Sequence, residues 1–142
     1  KIMKMKKIKV MIEWAGNNYS AGTGEINGVV VAAGNTLDAV KANFKDAFVF
    51  HIKGSLEDGD KLPGYVVRNN YELHFEMGAS AMLHLTYGLI TRSAISKASG
   101  INEKQLSHYL TGHRVAREAQ NKKIADGIVK ISRQIKELSA VV

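Results

Sequence analysis

Residues 91–114 read Thr91-Arg-Ser-Ala-Ile-Ser-Lys-Ala-Ser-Gly-Ile-Asn-Glu-Lys-Gln-Leu-Ser-His-Tyr-Leu-Thr-Gly-His-Arg114. Two short amphipathic patterns flank Gly100, and glycine is the residue that most cheaply adopts the backbone angles of a tight turn. Asn102 is a good N-cap for the second pattern, and Glu103 follows at the positive end of that helix. Gly112 ends the pattern. Two short helices joined in this way are typical of a helix-turn-helix, whose second helix enters the DNA major groove.

The exposed face of the second helix supplies the candidate base contacts. Helical spacing turns four side chains outward, and they are Glu103, Lys104, Ser107 and His108. Lys104 and His108 can donate to guanine O6 and N7, and Glu103 can accept from a cytosine amino group. The other predicted interface residues hold phosphates or cap the helix, and they are Arg92, Ser93, Asn102, Thr111, His113, Arg114 and Arg117.

The charge of the chain is unevenly distributed along its length. The net charge of the 142 residues is +7, and it divides into +5 for residues 1–9, −4 for residues 10–90 and +6 for the residues from Thr91 onward. A basic C-terminal part on a mildly acidic body predicts two different partners, one of them polyanionic.

The N-terminal half has the pattern of an α+β domain. Alternating apolar residues and turn signals predict the order β-β-β-α-β, an antiparallel sheet with one helix packed on it. The predicted strands are Lys7–Trp14, Tyr19–Gly22, Gly28–Ala33 and Tyr71–Met77. The predicted helix is capped by Thr36 or Asn35 and continues to about Ile52, with Gly54 as its stop. The compact apolar run at 28–33 predicts a buried strand, and 55–70 a surface loop.

The C-terminal half is predicted to be all-α, with Gly78 at the boundary. We therefore expect domains at 5–77 and 79–142. The predicted helices begin with one from Ala79 that carries Met82, Leu85, Leu89 and Ile90, followed by Ser93–Ser99, Asn102–Leu110 and about Ala116 to Leu138. Isoleucines and a leucine in the last helix follow the 4-3 spacing of a coiled-coil seam. Ile124 and Ile128 are expected to serve the local core, and Ile131, Ile135 and Leu138 to form a dimer contact.

Composition and spacing argue against an enzyme. The chain has no cysteine, so neither disulfides nor thiolate chemistry is available. The carboxylates and the five histidines have no spacing typical of a metal site or an acid/base pair, so we expect no metal and no cofactor. No apolar run reaches membrane-spanning length, and the basic start lacks the apolar core of a signal peptide. A cytoplasmic protein is expected.

Both halves resemble one known family. Lys7–Trp14, the short hairpin at 17–22, and Gly34-Asn-Thr-Leu-Asp-Ala-Val40 are similar to the sheet domain of HicB antitoxins. Ser96–Gly112 matches the Xre/Cro/C1-type helix-turn-helix that many HicB proteins carry. Together the two resemblances cover about residues 5–138.

The resemblance implies a partly formed ribonuclease-H-like sheet domain that blocks a HicA-type mRNA-cleaving toxin. It also implies a dimer or higher oligomer that binds double-stranded operator DNA and represses its own operon. Charge suggests a toxin-facing surface on Glu25, Asp38, Asp46, Glu72 and Glu76. Two alternatives stay open. One is a stand-alone repressor whose N-terminal domain senses a ligand, and the other is a residual nuclease using Glu13, Glu72 and Glu76.

Overall fold

The computed structural model describes residues 4–24, 26 and 28–140. Contacts divide the chain between Glu76 and Met77 into two compact units, called here the N-terminal and the C-terminal unit. The fold class is α+β, as the sequence predicted.

The N-terminal unit contains a four-stranded sheet. Its elements are β1 Lys6–Trp14, β2 Tyr19–Thr23, β3 Val30–Gly34, α1 Leu37–Glu57, α2 Gly64–Val67 and β4 Tyr71–Met77. The strands lie in the order β3-β2-β1-β4, and β2 is antiparallel to both neighbours. The expectation of a wholly antiparallel sheet is wrong, because the sheet is mixed and β4 runs parallel to β1. A helical connection as long as α1 can return the chain in the same direction, which a hairpin cannot do.

Helix α1 covers one face of this sheet. Alternation along β1 buries Ile8, Val10 and Ile12 against the helix, whose Phe44 and Phe48 are also fully buried. These two rings make edge-to-face contacts with Phe75 and Tyr71 of β4. On the opposite face, Lys9 Nζ lies 3.9 Å from a carboxylate oxygen of Glu76. The sheet therefore has one apolar, covered face and one charged face, as alternation dictates.

Three local predictions for this unit are wrong. Strand β3 is an edge strand and not a buried one, since Val31 is 67% exposed. Helix α1 continues past Gly54 to Glu57, because a glycine inside a packed helix costs only about 1 kcal/mol. The segment predicted as a loop contains the rest of α1 and the short helix α2.

The C-terminal unit is a cluster of helices, α3 Ala79–Thr86, α4 Arg92–Ser99, α5 Glu103–Leu110 and α6 Glu118–Ala140. Its core contains Leu83, Ile95, Ile101, Leu106, Tyr109 and Ile124, all buried. The prediction that Leu85 and Leu89 lie on the apolar face of α3 is wrong, because Leu85 turns to solvent in its last turn and the helix ends at Thr86, before Leu89. Both leucines are exposed, and Ala79 and Leu83 provide the contacts to the core. Because Gly78 has no capping side chain, Asn121 Oδ1 of α6 accepts from the Ala79 N–H at 2.9 Å.

The turn between α4 and α5 has the predicted chemistry. Gly100 adopts the left-handed conformation with φ 78°, and Asn102 Oδ1 accepts from the Gln105 N–H at 2.8 Å. Both predictions are confirmed. Gly127 of α6 allows close approach to the end of α4, because a Cβ placed there would lie 3.1 Å from the Ser99 nitrogen.

The apolar stripe of α6 is only partly covered. Ile124 is buried, and Ile128 and Ile131 are half-buried against the core of the C-terminal unit. Ile135 and Leu138 are 57% and 71% exposed. Ile131, predicted as a dimer contact, thus already packs on its own unit. Among the helices that the structure describes, none combines the length and apolarity needed to cross a membrane.

Candidate nucleic-acid interface

Helix α5 is oriented by its apolar side. Leu106 and Tyr109 are buried in the core, and Leu110 is partly buried beside them. Helical periodicity then turns Glu103 and Lys104 fully outward, with Ser107 and His108 partly exposed on the same side. The four residues predicted to face DNA therefore share one surface, called here the α5 face.

Arg92 connects the start of α4 to the α5 face. Its guanidinium donates a hydrogen bond to Ser107 Oγ, and the Ser107 hydroxyl donates to the Glu103 carbonyl at 3.0 Å. Thr91 Oγ1 accepts from the Ala94 N–H at 3.0 Å and so caps α4, while Ser93 is exposed in its first turn. Arg92, predicted as a phosphate ligand, is held against the middle of α5 and adds its charge to that surface.

The two histidines at the end of α5 form a pair. The rings of His108 and His113 lie 4.7 Å apart between centroids. Partial burial and then the neighbouring His113, Arg114 and Lys104 lower the pKa of His108 below its ordinary value. A positive charge on His108 is disfavoured beside these groups, which favours the neutral imidazole.

Two arginines line a polar pocket beside α5. The pocket has a volume of about 490 Å³, and its walls are Gln105, Tyr109, Arg114, Val115, Arg117 and Gln120. Gln105 Nε2 donates to Tyr109 Oη at 2.9 Å. Sequence reasoning predicted both arginines but missed Gln105 and Gln120. Gln105 could have been found from its position one helical turn before Tyr109. Gln120 could have been found from its position at the start of α6, where side chains approach α5.

The Thr111 hydroxyl hydrogen-bonds to the main chain of α5. Its hydroxyl donates to the carbonyl of Ser107 at 3.0 Å and lies 3.4 Å from that of His108, both in the last turn of α5. In this arrangement the hydroxyl can only accept, so it cannot donate to a phosphate. His113 stays exposed after the helix end.

The acidic residues proposed for a toxin do not form one surface. Asp38 and Asp46 are exposed on α1, whereas Glu72 and Glu76 project from β4 on the opposite, uncovered face of the sheet. Glu76 lies 3.9 Å from Lys9 Nζ, so its charge is partly neutralised. Glu25 lies outside the described residues. In the part of the chain that the structure describes, no group of three or more His, Asp or Glu residues could hold a metal ion.

Comparison with known proteins identifies no relative. No family model, no curated protein and no solved structure matches the chain. A function is therefore inferred from the residues described above.

Proposed function

We propose that the C-terminal unit is a helix-turn-helix that binds operator DNA, with α5 in the major groove. One observation carries this proposal. The left-handed turn at Gly100 and the Asn102 cap position a short helix whose outer side contains Lys104, Ser107 and His108. Arg92 is hydrogen-bonded to Ser107 on the same side. A helix of this length, anchored on one side and polar on the other, suits the width of the major groove.

The proposed roles follow from chemistry and position. Lys104 donates to guanine, neutral His108 donates to the same acceptors, and Glu103 accepts from cytosine. Exposed groups at the two ends of the α5 face hold the phosphate backbone, and they are Ser93, His113, Arg114 and Arg117, with Arg92 adding positive charge.

We further propose that the chain is a HicB-type antitoxin that blocks a HicA-type toxin and represses its own operon. The order β3-β2-β1-β4 with one helix across the sheet supports a partial ribonuclease-H-like domain. The exposed carboxylates of Asp38 and Asp46 on α1 suit a basic partner. In this proposal the N-terminal unit has no catalytic role and acts in the cytoplasm by covering the toxin.

Operator binding is tested with Lys104→Ala. DNA from upstream of the gene is titrated with the protein, and fluorescence anisotropy gives the affinity. We expect binding to weaken by about tenfold and sequence preference to relax, since one bidentate base contact contributes about 1–3 kcal/mol. Lys53→Ala, an exposed lysine of α1, is the matched control and should bind as the wild type does. Equal affinities for Lys104→Ala and wild type would remove Lys104 from the interface.

A stand-alone, ligand-sensing repressor is the second candidate. The observation that favours it is a half-open pocket of about 410 Å³ lined by Leu83, Ile90, Ile95 and Arg92, among others. This pocket lies in the C-terminal unit. That alternative predicted an apolar pocket in residues 5–77, where a second one of about 450 Å³ is lined by Val29, Val31 and Phe50, among others. The two candidates differ in co-purification. An antitoxin retains a small basic protein at about 1 M salt, where exposed charge pairs are screened, and a ligand-sensing repressor does not.

A further inference from the structure

The free edge of β3 differs from the other edge of the sheet. Among the described strands, β3 has β2 as its single neighbour, so its far side is unpaired. Natural edge strands are usually protected by charges, proline or bulges. Strand β4 carries Glu72, His74 and Glu76, whereas β3 reads Val30-Val-Ala-Ala-Gly34 and has no charged residue.

Part of this edge is already covered by the protein itself. Asn43 Nδ2 of α1 donates to the Ala33 carbonyl at 2.8 Å. Main-chain groups of residues two apart in a strand point to the same side. The N–H and C=O of Val31 therefore point to the same open side as the Ala33 carbonyl, where they can pair with another strand.

An apolar groove lies between this edge and α1. It has a volume of about 450 Å³ and is called here the β3 groove, with walls that include Val29, Val31, Ala47, Phe50, Asp58 and Asp60. Phe50 is 79% exposed, and Val29 and Val31 are also exposed. Three large apolar side chains exposed around one unpaired strand edge are typical of a surface that another chain covers.

The rim of the groove defines the charge of its occupant. Asp58 caps α1 through its N–H to the Gly54 carbonyl, and the Asp60 N–H donates to the Ser55 carbonyl at 2.9 Å. These bonds fix the backbone of both aspartates, which line one end of the groove. A second copy of this chain would bring its own two aspartates, whereas a basic partner is attracted to them.

We infer that the β3 groove binds the toxin through an extended, apolar segment flanked by Lys or Arg, added as a strand to the edge of β3. This inference rests on the proposed antitoxin function and deepens it. A toxin that binds RNA needs a basic surface, which suits the aspartate rim. Backbone pairing at Val31 would provide affinity, and contacts to Val29 and Phe50 would provide selectivity.

The experiment compares two neighbouring residues of α1, Phe50 and Val49, and one residue of β3, Val31. The full chain is co-expressed with the product of the small open reading frame adjacent to its gene, and the affinity of the purified pair is measured by calorimetry. Phe50→Ser should weaken binding by at least about tenfold, as expected for a central apolar contact of an interface. Val31→Lys should weaken it similarly, because a charge on an edge strand opposes the addition of another strand. Val49→Ser is the matched control, because Val49 is 61% exposed and lies outside the groove. All three sites are exposed, and circular dichroism checks that the fold is retained.

Each result has one meaning. Loss of binding in the groove variants with retention in Val49→Ser supports the inference. Equal binding by wild type and all variants overturns the groove but leaves the antitoxin proposal intact. A wild-type chain that does not bind the adjacent product overturns both. A wild-type dimer that Val31→Lys converts to monomer shows that a second copy occupies the groove, which also overturns the inference.

Discussion

His108 makes the proposed DNA contact sensitive to pH. Partial burial and the neighbouring His113, Arg114 and Lys104 lower its pKa, which favours the neutral imidazole in the free protein. DNA phosphates favour the charged imidazolium and raise the pKa in the complex. Bound protein therefore takes up a proton as the pH falls, and binding tightens with acidification.

The pH prediction is tested with His108→Gln. Wild-type affinity for the operator, measured by anisotropy between about pH 7.5 and 5.5, should rise more than that of His108→Gln, which cannot take up the proton. His74→Gln, an exposed histidine of β4, should keep the wild-type profile. Parallel profiles for wild type and His108→Gln would show that His108 does not titrate at the interface.

The lowered pKa of His108 makes acidification reduce the stability of the fold, whereas acidification tightens DNA binding. A histidine whose pKa is lowered in the folded state binds fewer protons than it does in the unfolded chain. The stability that its neutral form supports is present above its unfolded pKa and is lost as the pH falls below about 6.5. Affinity and stability should therefore be measured separately across this range.

Residue-level chemistry explains which parts of the site were predictable. The Gly100 turn and the Asn102 cap depend on neighbours within four residues, and both were predicted. The bond from Arg92 to Ser107 joins residues 15 apart, so it depends on how α4 crosses α5. The enclosure of His108 by His113 depends in the same way on the chain returning after Gly112. Residue spacing in the sequence predicts neither the Arg92–Ser107 bond nor the His108–His113 contact.

Two helical glycines with different surroundings allow a test at the level of elements. A Cβ at Gly127 would meet the backbone of Ala98 and Ser99 at 3.1–3.3 Å, whereas a Cβ at Gly54 meets no atom within 4 Å. Alanine gains about 1 kcal/mol of helix propensity at either site. At Gly127 this gain is offset by overpacking, which typically costs about 1–3 kcal/mol.

We expect Gly127→Ala to lower the free energy of unfolding of the C-terminal unit by about 1 kcal/mol. Gly54→Ala should raise that of the N-terminal unit by up to about 1 kcal/mol. Trp14 is the single tryptophan, so its fluorescence reports the N-terminal unit during urea unfolding, and circular dichroism follows the helices. A stabilised Gly127→Ala would show that α4 and α6 can separate at little cost.

The positions of the helices and strands were easier to predict than which of their side chains are buried. The bounds of β4 were predicted because its alternation is local. The apolar run before Gly34 suggested a buried strand, but β3 lies at an edge, and burial there depends on a neighbour that the described chain does not supply. Leu89 was misplaced because α3 ends at Thr86, and Leu85 because Ala79 and Leu83 form the side of α3 that faces the core. Apolar composition predicts a covered surface without saying which chain covers it.

At the scale of the whole molecule, the exposed end of α6 suggests how two copies assemble. Ile135 and Leu138 continue the stripe of Ile124, Ile128 and Ile131 beyond the core of the unit. The seam is flanked by uncharged side chains, among them Ser132, Gln134 and Ser139, while the basic residues Lys130, Arg133 and Lys136 fall outside it. Two α6 helices can therefore pair without juxtaposing like charges.

Dimerisation through α6 is tested by sedimentation. Ile135→Ser and a chain truncated after Ser132 should be mostly monomeric, because each removes apolar contacts of the seam. Val129→Ser is the matched control, since Val129 is 46% exposed on α6 but lies off the seam. Dimer loss should also weaken operator binding, since one recognition helix makes few contacts and a pair reads two half-sites about 34 Å apart. A truncated chain that remains dimeric would place the contact between copies outside the end of α6 and make the N-terminal unit the next region to test.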